Sequence, residues 1–188
     1  MTTPVTPTLI VCTAGGGVDE VFSAGLVEAT IVDYDTEEVS DEDTFAIPQS
    51  PRHTRTEPAI IHQNVNSDEP ARVRQTLAAL PAYDGPDVDP STAPVRALII
   101  VSGGVVQNVL TDRPVRLVEV SYDEDELDEA DEDALIELPQ ANGQRARGLA
   151  DWSSPEINAA EVEVLCAVWT KPAPGLAPTD TARRRRTP

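Results

Sequence analysis

The sequence has few aromatic residues, a single lysine and no long hydrophobic run. Aromatic residues make up only 4% of the 188 positions, so a core must be aliphatic, built from Val, Leu, Ile and Ala. No apolar run approaches the roughly 20 residues that a membrane-spanning helix needs. A secretory signal has a basic group followed by an apolar stretch, and residues 1–7 do not show this pattern. We therefore expect a cytoplasmic protein with no membrane partner.

The sequence also lacks a recognisable set of catalytic or metal-binding residues. The two cysteines, Cys12 and Cys166, lie far apart and outside any metal-ligand spacing, which favours reduced core residues. His53 and His62 have no further zinc ligands at a suitable spacing and are interpreted as loop or surface residues. The glycine run 15–17 lacks the Lys-Ser/Thr of a phosphate-binding loop, which favours a hairpin turn. We therefore predict a non-enzymatic protein with no catalytic residue, metal or cofactor.

Negative charge is what the sequence has in excess. Its 33 acidic and 14 basic residues give a formal net charge of -19. Such a body repels nucleic-acid phosphates, so we expect no direct nucleic-acid binding by it. The acidity suits a protein partner with a basic surface, a high-salt environment, or solubility alone.

An internal repeat organises the chain. Residues 9–35 align without a gap to residues 97–123, at an offset of 88 positions. A glycine pair, several valines and a Tyr-Asp pair coincide in the two copies, and an acidic stretch follows each. Pro-Gln then recurs at 48–49 and 139–140. Because unlike residues recur in the same order, the pattern predicts a tandem duplication.

Each copy is predicted to begin with three strands. Short apolar runs precede the glycine pairs, at residues 9–13 and 98–101, and alternating apolar and polar residues follow them. Glycine tolerates the positive φ of a tight turn, so each pair marks a hairpin. A third strand, at 27–34 and 115–122, completes an antiparallel three-stranded meander, which normally buries one face.

A helix is predicted near the end of each copy. In the first copy Ser67 is the candidate cap and Pro70 fits the first turn, before apolar residues at helical spacing. In the second copy Ser154 is the candidate cap, with Pro155 at the first helical position and Glu156 next, although residues 162–168 also alternate like a strand. A further helix is predicted over 125–138.

These elements predict an α+β fold of two tandem meander units, each followed by a helix, packed with pseudo-twofold symmetry. The first unit covers residues 8–81 and the second covers residues 95–170. The two units are expected to share an interface, because one such unit alone would bury too little surface. Residues 82–94 are predicted to be a linker from their Pro, Gly and Asp content. Residues 171–188, rich in Pro and Arg, are predicted to be a disordered tail.

Acidic corners at the ends of the third strands are the candidate binding residues, because they recur in both copies. They are Asp33, Tyr34 and Asp35 in the first copy, and Tyr122, Asp123 and Asp125 in the second. Carboxylates clustered at a strand end could hold Mg²⁺ or Ca²⁺. A strand that ends in a polar turn is the simpler interpretation.

These features leave three functions open. The first is an accessory protein that binds another protein through its sheet edges or its acidic face. The second is an acidic mimic of nucleic acid, in which the carboxylates of residues 124–133 occupy the basic groove of a nucleic-acid-binding protein. The third is an enzyme that uses a divalent metal at the repeated Asp corners. The arginine run 183–186 could contact nucleic acid, a membrane surface or the acidic body.

Residues 97–125 combine a strand, the run GGVVQNVL, a Pro-Val pair and a strand that ends in YDED. This pattern resembles small uncharacterised proteins of bacterial plasmids and phages, and TIVDYD at residues 30–35 resembles the same ending. The resemblance implies an accessory gene of a mobile element and implies no activity. The duplication departs from the single copy that is usual in those proteins.

Overall fold

A computed structural model describes residues 6–15, 17–37, 39–40, 43–48, 56–85, 87–89 and 93–170. His53 and the tail at 171–188, which the sequence predicts to be disordered, lie outside the described residues.

The described part of the chain forms strands and helices, and it includes 3₁₀ structure. The strands are β1 (Thr8–Ala14), β2 (Gly17–Ala24), β3 (Val27–Asp33), β4 (Phe45–Pro48), β5 (Thr56–Gln63), β6 (Ser67–Asp68), β7 (Val95–Ser102), β8 (Val105–Thr111), β9 (Arg116–Ser121), β10 (Ile136–Pro139), β11 (Arg145–Ser153) and β12 (Glu156–Ile157). The helices are α1 (Pro70–Leu77), α2 (Glu124–Glu129) and α3 (Ala159–Thr170), and Glu132–Ala134 forms a 3₁₀ helix. The fold is therefore α+β and rich in strands, as the sequence predicts.

Two six-stranded sheets carry the fold, and both halves of the chain contribute to each. The first sheet has the order β10-β11-β9-β1-β2-β6, and the second has the order β12-β8-β7-β3-β5-β4. The halves meet through two parallel pairs, β1 with β9 and β3 with β7. Hairpin neighbours β1 and β2, and β7 and β8, pair antiparallel as predicted.

The predicted three-stranded meander is wrong in its third strand. Instead of continuing the hairpin, β3 leaves for the second sheet and pairs with β5 and β7. The burial of β1 gives the reason: residues 8–12 are buried without alternation. A strand buried on both faces belongs in the centre of a sheet, often with parallel neighbours. In a meander β1 would lie at an edge, whereas here it lies between β2 and β9.

The layers follow an order of helix, sheet, sheet and helix. A central aliphatic cluster joins the facing sheets, with Leu9 and Val11 on β1 and Ile99 on β7 among its members. On the outer face of the first sheet, Val73 of α1 joins a second cluster. On the outer face of the second sheet, Leu165 of α3 joins a third. Each sheet is thus covered on both faces.

The helices begin and end differently from their predicted bounds. Pro70 occupies the first turn of α1 as predicted, but Ser67 lies in β6 instead of capping the helix. Residues 156–157 pair with β8, so α3 starts later than Ser154. Its cap is Asn158, whose Oδ1 accepts a hydrogen bond from the N–H of Glu161 at 3.2 Å. The helix predicted over 125–138 is broken, because α2 ends at Glu129 and β10 follows.

The segment between the halves packs on the first sheet. Its described residues within 82–94 contain no helix or strand. The rings of Tyr83 and Trp152 lie 4.7 Å apart, and the guanidinium of Arg116 lies 4.8 Å from the centre of the Tyr83 ring. Val88 is also buried. In the described part of the chain, no helix has the length and apolar character needed to cross a bilayer.

Candidate binding groove

A cavity of about 450 Å³ opens between the first sheet and the start of β8. Its aliphatic lining includes Val11, Val105, Val106 and Leu149. Its carboxylates are Glu119, Asp123, Glu126 and Asp151, and the described residues that line it include no basic side chain. We call this cavity the acidic groove.

Strand alternation places Glu119 in the acidic groove. Leu117 lies in the cluster between the sheets, whereas Val118 and Val120 lie in the cluster on the outer face. Since side chains two residues apart share a face of a strand, Glu119 points to the same side as Leu117. The inner face of β9 therefore changes from apolar to acidic where the sheets open into the groove.

The pairing of β9 with β11 sets two like charges side by side. Glu119 is the direct partner of Asp151 in this antiparallel pair, and both side chains are exposed. Like charges directly opposite each other destabilise a sheet. A cation bound between these carboxylates would remove that repulsion.

Asp123 and Glu126 reach the acidic groove from α2. Asp123 caps the helix, since its Oδ1 accepts a hydrogen bond from the N–H of Asp125 at 3.1 Å. The N–H of Asp123 in turn donates to Oγ of Ser121 at 3.2 Å, which holds the helix start against the end of β9. Of the predicted binding residues, Asp123 thus lines the acidic groove, and Asp125 lines a separate surface cavity beside Gly15.

The first Asp corner binds a turn of the other half of the chain. The Asp35 carboxylate accepts hydrogen bonds from the N–H groups of Gly103 and Gly104, at 2.8 and 2.6 Å. Both glycines have positive φ, which a two-residue turn of this type requires and which side chains disfavour. Asp33 supports the corner, because its Oδ1 accepts from the N–H of Asp35 at 2.9 Å. The glycine pair of the second copy therefore meets the Asp corner of the first, a contact that the sequence reasoning missed.

The two tyrosines of the corners pack against the outer aliphatic clusters. Burial, followed by the nearby carboxylates of Glu57 and Glu161, raises the pKa of Tyr34. Burial is also the main cause that raises the pKa of Tyr122 to about 12. The hydroxyl oxygen of Tyr122 accepts a hydrogen bond from Gln140 at 2.6 Å, so this hydroxyl is bound within the protein. Tyr34, Asp33 and Asp35 do not line the acidic groove.

Cys12 and Arg72 form a buried polar region outside the acidic groove. Arg72 makes a two-pronged contact with Glu20, at 2.6 and 2.5 Å, and its Nε donates to the carbonyl of Pro139 at 3.0 Å. Burial raises the pKa of the nearby Cys12 thiol to about 12, with a further contribution from Glu20. Such a thiol stays protonated near neutral pH and is a poor nucleophile. Neither cysteine forms a disulfide, and Cys12 is buried as predicted.

Glu119 and Asp151 are the groove residues that sequence reasoning overlooked. One signal was present: the alternating face of β9 passes from Val115 and Leu117 to Glu119. The partner of Glu119 depended on the register of two strands about 30 residues apart, which local patterns do not specify. Among the described residues, no group of three or more His, Cys, Asp or Glu side chains is placed to hold a metal ion.

Comparison of the chain with protein-family models, with curated proteins and with solved structures gives no match. The resemblance to plasmid and phage proteins gains no support from these comparisons and stays a prediction.

Proposed function

We propose that this chain is a non-enzymatic interaction protein whose acidic groove binds an arginine- or lysine-rich segment of a protein partner. The observation that carries the proposal is the opposed pair of Glu119 and Asp151, which faces an aliphatic cavity whose described lining has no cation. An enzyme with a metal at the repeated Asp corners has less support, because both carboxylate oxygens of Asp35 are bound to a turn.

The two kinds of lining suit the two parts of a basic side chain. Arginine and lysine have long aliphatic stems, which pack on apolar surface while their charged heads stay near water. In the acidic groove the stems would contact Val106 and Leu149, and the heads would lie beside Glu119 and Asp151. A protein of formal net charge -19 also attracts basic partners from a distance and speeds their encounter.

The arrangement of the strands supports a tandem duplication with pseudo-twofold symmetry. One sheet contains β1, β2 and β6 of the first half with β9, β10 and β11 of the second. The other contains β7, β8 and β12 of the second half with β3, β4 and β5 of the first. Each strand has a counterpart whose number differs by six, such as β1 and β7 or β3 and β9. When every strand of the first sheet is replaced by its counterpart, the result is the order of the second sheet read from its other edge. This correspondence of the two strand orders supports the proposed duplication.

The proposed duplication supplies an internal comparison for the acidic groove. At the offset of 88 positions, Glu119 corresponds to Ile31, and Ile31 pairs with His62 where Glu119 pairs with Asp151. A second cavity has Ile31 and His62 in its lining where the acidic groove has its opposed carboxylates. Asp19 and Glu20 also line this second cavity, but Glu20 is already paired with Arg72. This difference supports a specialised role for the acidic groove alone.

Removing the opposed charges tests the proposal. The double variant Glu119→Gln and Asp151→Asn should weaken binding of a hexa-arginine peptide, measured by calorimetry on the full chain. Two ion pairs of about 0.2–1 kcal/mol each correspond to a loss of about twofold to thirtyfold. The variant Glu28→Gln and Glu163→Gln removes the same charge from exposed sites outside the groove and should bind nearly as the wild type does. Equal affinities for the two variants would contradict the proposal.

Mimicry of nucleic acid is a second candidate, favoured by the acidic ridge formed by residues 124–133. Eight of these ten residues are acidic, and α2 buries none of its side chains. The variant Glu124→Gln, Asp128→Asn and Glu129→Gln neutralises part of the ridge without touching the lining of the acidic groove. If hexa-arginine binding falls with this variant and stays unchanged with the groove variant, the mimic is the better description.

A further inference from the structure

A strongly basic segment follows α3 in the sequence. Residues 171–188 contain five basic side chains and one acidic side chain, and four of the basic ones form the run Arg183–Arg186. Several arginines of the body are already in ion pairs: Arg72 with Glu20, Arg96 with Asp112 and Arg147 with Glu132. The run is therefore a dense group of positive charge in a chain of opposite overall sign.

The length of the segment lets this run reach the acidic groove. Twelve residues separate Thr170, the last residue of α3, from Arg183. Twelve residues can span at most about 40 Å. A domain of this size has a radius of gyration of about 15 Å, so that span covers the distance between most points on its surface.

We propose that Arg183–Arg186 occupies the acidic groove of its own chain and competes there with the basic segment of a partner. This inference rests on the function proposed above. The arginine heads complement Glu119 and Asp151, and their stems complement the aliphatic lining, where Val105 is 46% exposed. The segment would thus act as a built-in competitor that keeps weak basic ligands out of the groove.

Tethering makes such competition effective even when the contact is weak. A ligand joined by a short linker is present at an effective concentration in the millimolar range. If the run binds the groove with a Kd of about 0.1–0.5 mM, the apparent affinity of an external ligand falls by about threefold to tenfold. Strong salt should reduce the effect, because the contact is between charges.

The test compares the full wild-type chain with a variant carrying Arg183→Gln, Arg184→Gln, Arg185→Gln and Arg186→Gln. Hexa-arginine peptide should bind this variant about threefold to tenfold more tightly. Replacing the same four residues by lysine keeps the charge and should restore affinity close to that of the wild type. Backbone amide NMR shifts of Glu119, Ser121 and Asp151 should differ between the wild type and the glutamine variant, at every protein concentration.

The outcomes separate this inference from the function on which it rests. If hexa-arginine binds both chains equally, and the shifts at Glu119 and Asp151 are the same, the intrachain contact is overturned while the groove keeps its function. If shifts move only on α2, or only as protein concentration rises, the contact lies elsewhere or between chains, which also overturns it. If adding Glu119→Gln and Asp151→Asn to the four-glutamine tail variant, which has no competing run, leaves hexa-arginine binding unchanged, the proposed function itself fails.

Discussion

The Asp35 carboxylate, referred to below as the clamp, holds the turn between β7 and β8 in place. Each of its oxygens accepts one backbone N–H, from Gly103 and from Gly104, and so fixes the hairpin turn between β7 and β8. Hydrogen bonds to an ionised acceptor are stronger than neutral ones. The residue that looks like a metal ligand in the sequence therefore has a structural partner.

Replacing Asp35 by asparagine should lower the stability of the whole fold. Asn offers one carbonyl oxygen in place of two carboxylate oxygens, so one glycine N–H loses its partner and the other loses a charged one. The free energy of unfolding should fall by about 1–2 kcal/mol, which a lower midpoint in urea unfolding would report. The control Glu28→Gln removes one exposed carboxylate and should leave the midpoint nearly unchanged. Equal midpoints for the two variants would show that the clamp contributes little.

At the scale of elements, local sequence patterns predict where most strands lie along the chain, but they do not predict which strands pair with each other. Positive φ at Gly103 and Gly104 confirms the predicted turn, and Pro70 marks the start of α1. Pro155 and Glu156 suit a first helical turn, so the sequence predicts a helix over residues 156–157, yet these residues pair with β8. Tertiary pairing overrode local preference there, which is common for short segments.

The contact of β11 with the end of β9 depends on the absence of a side chain at Gly148. A Cβ there would lie 2.8 Å from Cε1 of Tyr122 and 3.1 Å from the carbonyl oxygen of Ser121. The first distance is too short for two carbon atoms, so the Tyr122 ring would have to move out of its packed position. Gly148 is thus a packing requirement at the strand junction beside the acidic groove.

Gly148→Ala should therefore destabilise the protein by about 1–3 kcal/mol, the usual cost of overpacking. Chemical denaturation measures this change in the free energy of unfolding. Gly17→Ala is the matched control, because a Cβ at Gly17 would meet no atom within 4 Å and its φ is not positive. If Gly148→Ala unfolds at the same denaturant concentration as Gly17→Ala, the ring of Tyr122 has room that the structure does not suggest.

At the scale of the whole molecule, the sharing of each sheet by strands of both halves makes the two halves depend on each other. The parallel pairs of β1 with β9 and β3 with β7 join the halves within both sheets. The central cluster also takes residues from both halves, among them Leu9 and Ile99. We therefore expect cooperative unfolding of the described fold, with no stage in which one half unfolds alone.

A mild core substitution far from a fluorescent reporter tests that cooperativity. Ile47 is fully buried on β4 of the second sheet, whereas Trp152 packs on the outer face of the first sheet. In a Trp169→Phe background, Ile47→Val should lower stability by about 0.5–1.5 kcal/mol. The unfolding midpoint seen by Trp152 fluorescence should fall by the same amount as that seen by far-UV circular dichroism. A Trp152 midpoint that stays fixed would indicate halves that unfold independently.

The sequence by itself determined the local elements: the hairpin turns, the aliphatic strands, the proline at the start of α1 and the net charge of -19. These follow from backbone preferences and from side chains that are neighbours along the chain. Only the tertiary structure decided that β3 joins β7, that Asp35 meets a turn 68 residues away, and that Glu119 faces Asp151. The physical reason is that strand partners are chosen by burial and register across the whole molecule, and a period-2 pattern specifies a face without naming its neighbour.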